Sequence, residues 1–95
     1  MLKLLESLIS ISRENNIKII IHFVKCKGKL YIDKELKAMD EYGNIAPWNR
    51  AFPGIHIQNI LDQCRVKKVE VYKGSELVLE TGDMSEVLSR FRRGF

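Results

Sequence analysis

Leu5, Leu8, Ile9 and Ser12 recur at the spacing of one helical face, and Asn15-Asn16 supplies a left-handed stop, so the chain is predicted to begin with a helix. At Ile17 the period changes. Ile17, Ile19, Ile21 and Phe23 alternate with Lys18, Ile20, His22 and Val24. Both sets are largely apolar, which predicts a central strand, running to Cys26, covered on two sides. Lys27-Gly28 turns the chain, and Leu30 with Ile32 brings back a partner strand. Asp33 to Tyr42 reads as a short helix with Leu36 and Met39 inward, or as a strand running to a Tyr42-Gly43-Asn44 turn; the helix is preferred.

Asn44 to Gly54 contains two prolines and has no apolar period, which predicts a loop. Ile57, Ile60, Leu61 and Cys64 then restore a helical face, with Pro53 near its permitted first turn. Val69 and Val71 oppose Lys68, Glu70 and Tyr72 in a half-exposed strand, which pairs with Leu77 and Leu79 across Lys73-Gly74. Asp83 followed by Glu86 has the form of a capping box, and Met84, Val87, Leu88 and Phe91 form the stripe of a last helix. Arg90, Arg92 and Arg93 in its final turn complement the helix dipole.

The pattern is doubled: a helix, a hairpin with a Lys-Gly turn, and a helical segment, twice. Few other positions agree between the copies and Lys-Gly is a common turn dipeptide, so coincidence is the better explanation. A true duplication would relate the hairpins by a pseudo-twofold axis and join them in one sheet. The predicted fold is α+β, one domain over residues 1–95. It has an antiparallel sheet of about four strands, built from two β-hairpins, with three to four helices packed on it. The cadence from Val69 to Phe91 resembles that of many small proteins of bacteria and their mobile elements, but singles out no family.

Composition narrows the class. The chain is 45% hydrophobic and 29% charged, ordinary values for a globular protein. At this length roughly 60 to 65% of the unfolded surface is buried, enough for one core. No apolar run approaches the roughly 18 residues needed to cross a bilayer. The N-terminus interrupts Leu2, Leu4 and Leu5 with Lys3 and Glu6, unlike a signal peptide. A cytoplasmic protein without membrane contact is expected. Cys26 and Cys64 have no zinc or CxxC spacing and read as reduced and half-buried, in preference to a disulfide between them. The net charge of +4 is uneven: residues 1–32 carry six Lys/Arg against two acids, 33–64 three against five, and 65–95 seven against five. The ends are basic and the middle acidic.

Little of this is catalytic. His22 and Cys26 share a strand face but lie roughly 13 Å apart, too far for a nucleophile and its base. Cys64 or Cys26 meeting His56 in space is the minimum for covalent chemistry, and a small hydrolase or toxin-like nuclease using His22, His56 or Cys64 is the third-ranked reading. The pairs Asp33/Glu35 and Asp40/Glu41 read as solvated faces before cation ligands. The glycines are isolated and form no phosphate loop. Neither cofactor nor metal is expected, and an enzyme is disfavoured.

Two binding surfaces remain. Lys25, Lys27, Lys29, Arg90, Arg92 and Arg93, with Arg65, Lys67 and Lys68, suggest a basic rim for a nucleic-acid backbone. As solvated edge lysines and helix-dipole partners they need no ligand. Trp48, Arg50 and Phe52 sit in a proline-bounded loop next to the acidic Asp40 and Glu41; such side chains dominate binding hot spots, unless Trp48 and Phe52 fold back as a lid on the core. The leading expectation is a non-catalytic module binding a protein through this loop, as an inhibitor, adaptor or regulator. Nucleic acid on the rim is the alternative. A homodimer through the second hairpin's edge and the Phe91/Phe95 end is a further expectation.

Overall fold

A computed structural model describes residues 2–91. Helix α1 (Leu2–Asn15) leads into β1 (Lys18–Phe23), β2 (Lys29–Ile32), β3 (Leu36–Met39) and β4 (Ile45–Ala46). Helix α2 (Trp48–Ala51) follows, then a 3-10 turn (Ile57–Asn59) running into α3 (Ile60–Cys64). The chain continues as β5 (Val66–Lys73), β6 (Glu76–Thr81) and α4 (Met84–Phe91). The architecture is α+β. Among the described residues there is one six-stranded antiparallel sheet in the order β4-β3-β2-β1-β5-β6, with four α-helices.

The register sorts the side chains into two faces. Ile19 lies opposite Ile32 and Val71, and Ile21 opposite Leu30 and Val69. These six are fully buried with Leu5, Leu8 and Ile11 of α1, Ile60 and Cys64 of α3 and Val87 of α4. On the other face Ile20 lies opposite Tyr31 and Glu70, and Lys18 opposite Tyr72; all are half-buried and lie outside the core cluster. β1 is therefore central but not covered on two sides: its burial alternates strictly along the strand. The isoleucine run satisfies strand preference, and Ile20 spends its apolar surface on cross-strand neighbours.

The preferred helix over Asp33 to Tyr42 is absent, and the strand alternative holds. Lys34 takes φ 67° in a tight turn in which the Asp33 N–H donates to the Glu35 carbonyl at 3.1 Å. Leu36–Met39 then pairs with β2, Ala38 opposite Leu30. Asp40 closes the next turn: its Oδ1 accepts the N–H groups of Tyr42 and Asn44, each at 2.9 Å, and Gly43 takes φ 85°. A helix here would have left the outer edge of β2 unpaired. The three-residue step from Leu36 to Met39 imitated a helical period, and two extra strands raise the sheet from about four to six.

Other boundaries also shift. The segment read as a loop over 44–54 holds β4 and α2, and Pro53 lies outside both α2 and α3. β1 stops at Phe23, and the connection to β2 is a five-residue loop, Val24 to Gly28, not a tight turn. The second hairpin does turn tightly, but over Gly74-Ser75 with Lys73 still paired in β5 opposite Glu76, and Gly74 takes φ 66°. Asn16 supplies the left-handed stop of α1 at φ 54°. At α4 only half of the capping box forms. Asp83 Oδ1 accepts from the Ser85 hydroxyl at 2.7 Å and its N–H at 2.9 Å, while Glu86 Oε1 accepts the Thr81 hydroxyl at 2.6 Å.

The two hairpins meet through β1 and β5, which run antiparallel. A strand follows the first hairpin where a helix follows the second, so the doubled order fails at its third element. β6 is a sheet edge, and Leu77 and Val78 on it are exposed.

Candidate functional site

At the end of the sheet where β1 stops, three segments enclose a cleft of about 450 Å³. The loop after β1 contributes Lys25, Cys26 and Lys27, the β3–β4 turn contributes Asp40, Glu41 and Tyr42, and α2 with its exit contributes Arg50, Phe52 and Pro53. Lys25, Lys27, Glu41, Tyr42 and Arg50 are exposed around the rim, Tyr42 at 80%. Asp40 spends one carboxylate oxygen on its own turn. The floor is apolar. Residues assigned from sequence to two separate surfaces thus converge: Arg50, Asp40 and Glu41 from one, Lys25 and Lys27 from the other.

The predicted aromatic anchors divide. Phe52 is 1% exposed, set edge-on to Phe23 with centroids 5.8 Å apart at 85°. It belongs to the core and is not presented to a partner. Trp48 is half-buried, tilted over Phe52 at 4.8 Å, and its indole Nε1 donates to the Ile55 carbonyl at 2.7 Å. Its outer edge lines a second hollow of about 550 Å³ with Asn49, His56 and Ile57. The physical reason is volume: one helix layer leaves this end of the sheet open, and an aromatic pair closes it.

Cys26 and Cys64 are joined in a disulfide, which corrects the reading of two reduced thiols. The N–H of Lys25 donates to the Cys64 carbonyl at 2.9 Å and that of Val24 to the Arg65 carbonyl at 2.8 Å. This pairing holds the two Cα atoms 5.1 Å apart, within bridging range. Separation in sequence carried no signal of it. Cys64 is fully buried, whereas Cys26 is half-buried and lines the cleft. Neither sulfur is a free nucleophile.

The basic rim is not one surface. Lys25 and Lys27 stand at the cleft, beyond the end of β1. Arg90 is near the C-terminus of α4, where the Phe91 carbonyl accepts from Asn15 Nδ2 at 3.3 Å, next to the start of β1. A six-residue strand, roughly 20 Å long, separates these ends. Lys29 points to the half-exposed sheet face. Arg92, Arg93 and Phe95 lie outside the described residues.

His22 is on that half-exposed face, with Nε2 2.7 Å from Glu70 Oε1; Lys68 Nζ is 3.6 Å from the other oxygen. Burial pushes the Glu70 carboxyl up, but the hydrogen bond and charge of His22, with those of Lys68, outweigh it and leave it below the usual glutamate range. Burial, then the charge and hydrogen bond of Asp33, raise the Tyr31 hydroxyl. His22, His56 and Cys64 occupy three different places: sheet face, second hollow and core. No group of three metal-ligating side chains occurs among the described residues, and no helix there is long and apolar enough to cross a membrane.

No family model matches this chain, and no curated protein or solved structure matches it either.

Proposed function

We propose that this chain is a non-catalytic adaptor or regulator that takes an acidic segment of a partner protein into the cleft. The reading rests on one observation: Lys25, Lys27 and Arg50, from segments far apart in sequence, surround an apolar floor beside an almost fully exposed Tyr42. Arginine and tyrosine are hot-spot residues, and an apolar floor under a cationic rim suits a peptide carrying both carboxylates and a hydrophobic anchor. Glu41 and Asp40 set the orientation, by repelling a carboxylate placed on the wrong side. The disulfide and the packing under Phe52 keep the cleft walls in place, which lowers the entropy lost on docking.

Affinity capture from the native host, with and without nuclease, tests this. Wild type should retain a protein partner after nuclease treatment. Lys27→Glu with Arg50→Glu should lose it without a change in melting temperature, while Lys3→Glu on α1 should keep it. Capture that disappears with nuclease, or that ignores the charge reversal, rules the reading out.

A further inference from the structure

The half-exposed sheet face pairs each of its two flanking tyrosines with a lysine. Tyr31 on β2 lies directly opposite Lys37 on β3, and Tyr72 on β5 directly opposite Lys18 on β1. Ile20 lies between the tyrosines, opposite Tyr31 and one pleat from Lys18. Lys29 and Lys68 continue the same face on β2 and β5, towards the end that also carries Lys25, Lys27 and Arg65.

The acids on this face are Asp33, Glu70 and Glu80, with Glu35 across the β2–β3 turn from Asp33, and two of them are engaged. Glu70 is held by His22 and Lys68, and Asp33 accepts the Tyr31 hydroxyl at 3.3 Å. Glu80 lies on the edge strand β6, to one side of the tyrosine–lysine pairs. Ile20, Tyr31 and Tyr72 are half-buried and lie outside the core cluster.

We propose that this face is a platform for single-stranded nucleic acid, with bases stacking on Tyr31 and Tyr72 and the backbone crossing Lys18, Lys37, Lys29 and Lys68. A tyrosine with a cation directly across the strand gap supplies both things a nucleotide offers a partner, a base face and a phosphate. Two interstrand steps and two residues of rise put the tyrosine Cα atoms roughly 12 Å apart. That spacing suits splayed, extended nucleotides; a duplex hides its base faces, and an open sheet face offers it no element to enter a groove. The face lies apart from the cleft, so the proposal stands independently of the protein-binding reading.

Fluorescence anisotropy with a short labelled oligothymidylate, beside the same sequence as a blunt duplex, tests it. Single strand should bind, more weakly as salt rises, and better than duplex. Tyr31→Ala and Tyr72→Ala should each weaken binding about tenfold. Tyr31→Phe and Tyr72→Phe keep the ring and should bind as wild type, which separates stacking from loss of the Tyr31–Asp33 hydrogen bond. Lys37→Glu should weaken binding, and the cleft variant Arg50→Glu should not. Absence of binding at low salt, equal affinity for duplex, alanine variants that bind normally, or displacement by oligoglutamate as readily as by unlabelled oligothymidylate would each overturn the proposal.

Discussion

Gly28 lies so close to Ala51 that a β-carbon on it would collide with the Ala51 carbonyl oxygen and stand 3.1 Å from Cε1 of Phe52. The obstacle is backbone of α2 and cannot swing aside. The contact sets the loop after β1 against the floor of the cleft, so the glycine is required by proximity and not by a positive φ. Gly28→Ala should therefore cost about 1 to 3 kcal/mol, as overpacking does, read as a lower urea midpoint with an unchanged slope.

The Cys26–Cys64 bond closes a sequence separation of 38 residues. Reduction should destabilise the chain by about 2 to 4 kcal/mol. Intact mass of the unreduced protein should be lighter by two hydrogens than that of the reduced form. Full alkylation under denaturing, non-reducing conditions would show that the pair is open.

Ser12 is a fully buried polar residue in the last turn of α1. Its hydroxyl donates to the Ile17 carbonyl at 2.6 Å and accepts the Lys34 N–H at 2.8 Å, tying α1, the start of β1 and the β2–β3 turn together. Ser12→Ala leaves both backbone groups without that partner, and should cost about 1 to 3 kcal/mol. Amide exchange at Lys34 should accelerate by more than the global loss of stability accounts for.

The Glu70 carboxyl lies below its ordinary range in the folded state, with His22 and Lys68 as its favourable partners and Glu80 directly across on β6. Its ionisation thus contributes stability that is complete above the unfolded glutamate pKa and is lost as pH falls through the lower folded value. Urea midpoints measured through that acid window should fall more steeply for wild type than for Glu70→Gln. Parallel curves would remove Glu70 as a source of acid sensitivity.

Several elements were legible because local chemistry agreed with the final packing. Leu5, Leu8 and Ser12 face the core from α1, Asn16 stops that helix, and the Val69/Val71 alternation with Gly74 makes β5 and β6. Failures came where a local pattern had two solutions. Leu36 and Met39 fit a helix or a strand, and pairing with β2 chose the strand. The Ile19–Ile20–Ile21 run fits a strand covered on either or both faces, and the helices cover only one. Trp48 and Phe52 stand out in a proline-bounded loop, but composition does not say which way an aromatic ring turns. Tyr42, 80% exposed at the cleft, carries only a turn signal in the sequence.

The sequence alone determined the class, the alternating strands, the final helix and the location of the positive charge, because these follow from period, propensity and composition over a few neighbouring residues. Tertiary structure decided what depends on positions distant in the chain. It joined Cys26 to Cys64, buried Phe52 against Phe23, split the basic rim between opposite ends of β1, and gathered Lys25, Lys27 and Arg50 around one cleft. Strand pairing decides which face is which: a shift of one residue in the β1–β5 register would exchange the faces of Ile20 and Ile21, and with them the core and the half-exposed face of the sheet.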